Sequence, residues 1–236
     1  VGGHYLLAMA SELVNVSFVG KNEENCPGYY AGEGNKGLVV IQEWWGLNQM
    51  MVNYVDFFAS KGFVAVCPDL YRGEVATDNE HAGHLMSGLD WKGAISDIEG
   101  ASEFLKSKGC KKVGVIGFCM GGALSIASAV LAKNISASAP FYGIPSAELA
   151  NPADCKIPIQ CHFGNDDALA GFSDPKSVDA LEQKFKEGNV NYEIHRYDGA
   201  GHAFTNQLKE EAFKKEARDL AFERAISFFE HNLNEQ

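Results

Sequence analysis

The sequence predicts an α/β fold with a mainly parallel central sheet and helices on both faces. The continuous apolar runs at residues 38–42 (LVVIQ) and 63–67 (FVAVC) are typical of strands that are covered on both sides. Between them, residues 48–60 place their apolar side chains at helical spacing. Because buried strands alternate with helices, the strands should run parallel, and ligands should bind beyond their carboxyl ends.

The alternation continues without a repeat or a linker, so we expect a single domain over residues 1–236. The next predicted elements are a helix at 91–106, a strand at 112–117, a helix at 120–131, a strand at 136–142, a strand at 157–163, a helix at 175–186, a strand at 190–197 and a long amphipathic helix at 209–232. Residues 1–12 do not fit this pattern, and they could be a disordered start or a remnant of cloning.

Composition excludes several classes of partner. The chain has 31 Asp and Glu against 20 Lys and Arg, a formal charge of −11, which argues against nucleic-acid and anionic-membrane binding. No apolar run is long enough to cross a membrane. The six cysteines are scattered without a CxxC pair, which favours reduced thiols, no zinc site and a cytoplasmic location.

The strand predicted at 112–117 leads into Gly117-Phe118-Cys119-Met120-Gly121, a nucleophile-elbow pattern with cysteine in place of serine. A nucleophile on a sharp strand-to-helix turn crowds the residues two before and two after it, and glycine removes their Cβ atoms. The turn would present the Cys119 sulfur at a helix N-terminus, where the peptide dipoles favour a thiolate. The alternative is a glycine-rich turn around a structural, buried cysteine.

A cysteine nucleophile needs a base, and the base needs an orienting acid. In this architecture the acid follows a later strand and the histidine comes last. His202 lies on a Gly-Ala-flanked turn after the strand predicted at 190–197, which makes it the candidate base. Asp166 and Asp167 both follow the strand at 157–163, and the local pattern does not choose between them.

The other histidines are weaker candidates. His81 and His84 form an HxxH pair that would suit a metal on a helix, but a solvated loop is the favoured interpretation. His162 has apolar neighbours on a predicted strand, which indicates a core residue.

Glu43 is unusual because it ends an apolar strand and precedes two tryptophans. The loop at this point of such a fold contributes one backbone N–H to an oxyanion hole, and the residue after the nucleophile contributes the other. Here these donors would be the backbone amides of Trp44 and Met120. Glu43 would then be a desolvated, proton-exchanging carboxylate, unless its side chain turns to solvent.

Five stretches together resemble the dienelactone hydrolase (carboxymethylenebutenolidase) family of α/β-hydrolases: residues 42–48, 67–71, 117–122, 162–167 and 201–204. The resemblance implies the α/β-hydrolase fold, with Cys119 as nucleophile, His202 as base and Asp167 as orienting acid. It also implies that Glu43 keeps the resting cysteine a poorly reactive thiol and helps to form the thiolate when substrate binds.

The sequence departs from the family at the positions that bind the substrate carboxylate, where the family has two arginines. Asn206 stands where one of them is expected, and Arg72 stands one residue before the position of the other. A neutral amide cannot replace the charged fork of an arginine. We therefore expect substrates with a weaker or absent carboxylate requirement, bound by Arg72, Asn206, Tyr142 and Phe204.

These observations predict a cysteine-dependent hydrolase of small carboxylic esters or lactones that acts through an acyl-enzyme, without a metal or an organic cofactor. We expect a monomer or a weak homodimer. One alternative is a catalytically altered protein that binds small molecules or senses thiol oxidation through Cys119. Another is a promiscuous phosphotriesterase, because a thiolate can also attack phosphorus.

Overall fold

The computed structural model describes residues 10–234, which form an eight-stranded sheet in the order β1-β2-β4-β3-β5-β6-β7-β8. The strands are β1 (Val16–Val19), β2 (Asn25–Ala31), β3 (Lys36–Ile41), β4 (Val64–Pro68), β5 (Lys112–Phe118), β6 (Ala137–Phe141), β7 (Ile159–Gly164) and β8 (Tyr192–Tyr197). The helices are α1 (Ala10–Leu13), α2 (Gln49–Ser60), α3 (Asn79–Ser87), α4 (Trp91–Ser107), α5 (Met120–Leu131), α6 (Pro175–Glu187) and α7 (Lys215–Asn232).

The six strands from β3 to β8 pair in parallel, whereas β1 and β2 form an antiparallel edge. Alternate side chains of β3 enter different cores. Leu38 and Val40 pack with α2, α6 and α7, and Val39 and Ile41 pack with α4 and part of α5. Helices therefore cover both faces of the sheet, which confirms the predicted α/β fold. It also explains why the central strands read as unbroken apolar runs.

The strands β1 and β2 were not expected from the sequence. Pro27 and Gly28 lie inside β2, and both residue types are more typical of turns than of strands. The structure accommodates them at the antiparallel edge, where a Cβ atom on Gly28 would lie only 2.8 Å from the Cys67 carbonyl oxygen.

Two expectations about helices were wrong. The segment with His81 and His84 is the helix α3 and not a solvated loop, because the Asp78 side chain caps it by accepting a hydrogen bond from the His81 N–H. The final helix begins at Lys215 rather than at residue 209, because residues 206–213 are held in turns, with hydrogen bonds from the Lys209 N–H and the Phe213 N–H.

The start predicted at residues 1–12 falls mostly outside the described residues. Only its last part is described, where α1 begins at Ala10. Among the described residues, no helix is both long and apolar enough to span a membrane.

Candidate active site

Cys119 occupies the sharp turn between β5 and α5, with backbone angles of φ 59° and ψ −117°. The glycines on either side are required by close backbone contacts. A Cβ atom on Gly117 would lie 2.0 Å from the Gly121 carbonyl oxygen, and one on Gly121 would lie 2.3 Å from the Ile41 carbonyl oxygen. The predicted reason for the glycine spacing is therefore confirmed, and the positive φ of Cys119 marks a strained position.

The Cys119 side chain lines a cavity of about 500 Å³ beyond the carboxyl ends of the strands. Burial, and next the charge of Glu43, raise the pKa of its thiol to about 12. Hydrogen bonds from the backbone N–H groups of Met120 and Trp44 act in the opposite direction. Two amide donors thus converge on the sulfur, but burial keeps it a neutral thiol at neutral pH.

His202 lines the same cavity, on the loop after β8. Its Nδ1 atom lies 2.9 Å from Oδ2 of Asp167 and 3.1 Å from Oγ of Ser173. Its Nε2 atom is buried and has no hydrogen-bond partner within residues 10–234. Asp167 is buried whereas Asp166 is exposed, so the structure brings Asp167, and not Asp166, to the histidine.

Glu43 is 2% exposed and also lines the cavity, so its side chain does not turn to solvent. Burial raises the pKa of its carboxyl group to about 7, although the charge of Lys209 and a hydrogen bond from Asn206 act to lower it. The Asn206 Nδ2 donates to Glu43 Oε1 at 2.9 Å. The carboxyl group can therefore take up or release a proton near neutral pH.

Arg72, which the sequence suggested as a substrate-binding residue, does not line this cavity. Its guanidinium group donates to both carboxylate oxygens of Asp97, at 3.0 and 2.8 Å, and to the Asp69 carbonyl oxygen at 2.8 Å. The structure therefore places Arg72 outside the cavity that Cys119 lines, in an ion pair with Asp97.

The other three residues expected to bind substrate are buried behind the cavity and do not line it. The Tyr142 hydroxyl pairs with Oγ1 of Thr205 at 2.7 Å, and its ring packs 5.1 Å from the His202 ring. Phe204 packs against the Tyr142 ring, and Asn206 contacts Glu43 as described above. The polar side-chain atoms of Tyr142 and Asn206 are thus paired within the protein, and Phe204 packs against Tyr142.

Sequence reasoning missed several side chains that shape the site. Ser173 contacts His202, while Lys209 lines the cavity with its ammonium group 4.0 Å from the centre of the Trp45 ring. Met86 and Phe172 form part of the wall. These residues lie outside the motifs found in the sequence, so only the three-dimensional structure shows that they shape the site.

The other histidines of the described residues do not line the cavity. Although His81 and His84 are on a helix, no group of three or more His, Cys, Asp or Glu side chains that could hold a metal ion occurs in the described part of the chain. The buried His162 ring has partners on both nitrogens, at 2.8 Å each, which are the Tyr197 hydroxyl and Oε1 of Gln160.

Comparisons with known proteins identify relatives of this chain. Residues 27–233 match the model of the dienelactone hydrolase family. A "Protein usf" from Aquifex pyrophilus is 34% identical over 90% of this chain and 96% of its own length. A carboxymethylenebutenolidase from Pseudomonas putida is 30% identical over 81% of this chain and 84% of its own length.

Solved structures share the fold at lower identity. A putative dienelactone hydrolase from Klebsiella pneumoniae superimposes with a TM-score of 0.79 at 21% identity, covering 94% of this chain and 98% of its own. A dienelactone hydrolase-like promiscuous phosphotriesterase from metagenomic libraries superimposes with a TM-score of 0.80 at 20% identity, covering 94% of this chain and 98% of its own.

Proposed function

This chain belongs to the dienelactone hydrolase family, and from that premise we propose that it hydrolyses small carboxylic esters or lactones through an acyl-enzyme on Cys119. The observation that carries the proposal is the free Nε2 atom of His202. His202 and Cys119 line the same cavity, and Asp167 holds the other ring nitrogen of His202. A buried imidazole nitrogen without a partner costs stability, so its retention supports a role as an acceptor of a proton.

The first half of the reaction transfers the acyl group to sulfur. His202 takes up the thiol proton, either directly or by way of the Glu43 carboxylate, and the thiolate attacks the carbonyl carbon. The N–H groups of Trp44 and Met120 are well placed to stabilise the oxyanion, since both already donate towards the Cys119 sulfur. The C–O bond then breaks, and protonated His202 gives its proton to the leaving oxygen.

The second half releases the acid. His202 takes a proton from a water molecule, whose oxygen attacks the thioester carbonyl, and the C–S bond breaks to regenerate the thiol and free carboxylate. Asp167 keeps the imidazole in the tautomer that needs a free Nε2, and it stabilises the imidazolium that forms in each half.

The charges around the cavity favour a substrate without a carboxylate. Lys209 is the one Lys or Arg that lines the cavity within the described residues, and two carboxylates, Glu43 and Glu211, line it as well. Arg72 is committed to Asp97 and Asn206 to Glu43. A pair of arginines for a substrate carboxylate has no counterpart here, and one lysine opposed by two acidic groups is a weak substitute.

A direct test compares matched pairs of esters and lactones with and without a free carboxylate, assayed with the wild-type protein and with Cys119→Ala. We expect the neutral member of each pair to have the higher kcat/KM, and the variant to lose hydrolysis of both. Preference for the acidic member would refute the charge argument, and undiminished turnover by Cys119→Ala would refute the covalent route.

The same assay addresses the alternatives. Release of one equivalent of leaving group per protein without further turnover would support a binding or redox-sensing protein instead. A phosphotriester such as paraoxon belongs in the substrate panel because a related fold carries that activity. Since that likeness is at 20% identity, it concerns the fold alone, and we expect carboxylic esters to be turned over faster.

A further inference from the structure

A second cavity of about 680 Å³, here called the distal cavity, lies next to the catalytic cavity. Both cavities are lined by Met86 and Phe172, so these two side chains form the wall between them. Met86 belongs to α3, and Phe172 lies on the loop between Asp167 and Ser173, both of which contact His202. The two cavities are therefore neighbours that share these two side chains. One of them, Phe172, belongs to the loop whose residues contact His202.

The lining of the distal cavity suits an uncharged, apolar group. Its apolar side chains are Leu89, Trp91, Ile144, Pro145 and Leu149. The charged residues around it, Asp90, Lys92 and Glu148, are exposed and carry one net negative charge, so nothing in the lining favours an anion. Its volume is within the range of small-molecule sites in proteins.

The position of Phe172 indicates which part of a substrate would enter. The centre of its ring lies 6.1 Å from the centre of the His202 ring. During acyl transfer the leaving oxygen must come within hydrogen-bonding reach of His202, so the group attached to that oxygen extends past the histidine. Leu169, on the same loop, lines the catalytic cavity and is 46% exposed, which provides an apolar surface along this route.

We propose that the distal cavity binds the leaving-alcohol portion of the substrate, and that the preferred substrates are esters of uncharged, apolar alcohols. This inference rests on the proposed ester hydrolysis and specifies its substrate class. Burial of several methylene groups or of an aromatic ring there would add binding energy that a short alcohol cannot provide.

The test uses ethyl, butyl, hexyl and 2-phenylethyl acetates, which form the same acetyl-enzyme and differ only in the alcohol. We expect kcat/KM of the wild-type protein to rise about tenfold or more from the ethyl to the hexyl ester. A parallel series of ethyl esters with longer acyl chains should show a smaller increase. A flat response to the alcohol, or a larger response to the acyl chain, would overturn the proposal.

Two variants locate the effect. Leu149→Trp and Leu89→Trp each fill the distal cavity from a different side, so the test survives if one of them does not fold. Either should lower kcat/KM for hexyl acetate about tenfold and leave that for ethyl acetate within about twofold. The matched control is Leu131→Trp, an exposed position on α5 that lines neither cavity, and it should change neither value.

The outcomes separate this inference from the function on which it rests. Equal loss for ethyl and hexyl acetate in both filled variants, with a native melting temperature, would overturn the distal cavity as a binding site while ester hydrolysis stands. Failure of the wild-type protein to hydrolyse any acetate would overturn both.

Discussion

The rings of His202 and His162 have similar hydrogen-bonding neighbours in different arrangements. Each histidine has a hydroxyl group and a side-chain oxygen as neighbours: Ser173 and Asp167 for the first, Tyr197 and Gln160 for the second. Both ring nitrogens of His162 are paired, whereas Nε2 of His202 has no partner within the described residues and shares a cavity with a thiol.

This comparison shows that the presence of suitable residues does not make a reactive site. The His162 cluster continues through Gln160 to Glu193 and His195, and a cavity of about 630 Å³ lies beside the last three of these residues. Two of these hydrogen bonds, from Gln160 to Glu193 and between His162 and Tyr197, join β7 to β8. In the His202 cluster one nitrogen is left free, which is what a proton transfer requires.

The cysteines give the largest expected contrast between the two regions. Cys119→Ala should lower kcat/KM for a small neutral ester by about 10⁴-fold or more, because the atom that forms the acyl bond is removed. Cys161, fully buried on β7 next to His162, is the matched control, and Cys161→Ala should keep the rate. Steady-state assays with both purified variants check this. A comparable loss in both would show that cysteine burial, and not the elbow, matters.

The acids provide the second contrast. Asp167→Asn should reduce kcat about 10³- to 10⁴-fold, because an amide can stabilise the wrong tautomer of His202 and no longer balances the imidazolium charge. Glu193→Gln, which changes the carboxylate of the other cluster, should leave kcat within about twofold. Measurement of kcat and KM for each variant decides the matter, and a small effect of Asp167→Asn would argue against its orienting role.

Glu43 links reactivity to stability. Its pKa of about 7 in the folded protein lies above the usual value of 4.5, so between these pH values the folded state holds a proton that the unfolded state lacks. Stability should therefore fall as the pH rises through this window, by about 3 kcal/mol in total. Glu43→Gln removes the ionisable group and with it this loss of stability at high pH. We therefore expect the variant to be more stable than the wild-type protein at pH 8 but not at pH 4.5.

Denaturant unfolding of both proteins across this pH range measures the difference, with the exposed Glu210→Gln as control. A gain in stability that does not depend on pH would contradict the assignment of the ionisation to Glu43. Lower activity of the stabilised variant would be consistent with a carboxylate that is retained for function.

His162 should show the smallest effect, and only on stability. Burial lowers the pKa of His162 well below the usual value of 6.5, so the unfolded state takes up a proton that the folded state excludes. Wild-type stability is therefore lost as the pH falls below 6.5. His162→Gln should cost about 2 kcal/mol at pH 8 through lost packing and hydrogen bonds, lose less on acidification, and keep kcat. Thermal unfolding at pH 5 and 8, with a parallel rate assay, tests this.

Local pattern was sufficient for the parts of the fold and site that depend on local rules. The apolar runs of β3 to β5 and the glycine spacing around Cys119 follow from burial on both faces and from crowding at one turn, and both are visible in the sequence. The order of nucleophile, acid and histidine could be read for the same reason, because each follows its own strand.

Long-range pairing explains what was missed. Arg72 was expected at the substrate, but Asp97, 25 residues later in the chain, holds its guanidinium group, and no local pattern shows this. Residues 209–213 were expected to form the start of the final amphipathic helix, but residues 206–213 are held in turns. Their conformation instead brings Asn206 to Glu43, which is 163 residues away.

The central claim is that the thiol of Cys119 carries the acyl group during turnover. Intact-protein and peptide mass spectrometry of samples quenched in acid during hydrolysis of a slow acetate ester tests it most directly. We expect up to one acetyl group per chain, located on the peptide that contains Cys119 and absent from Cys119→Ala treated in the same way. Rapid turnover with no acetyl group on this peptide, or with the group on another residue, would contradict the account.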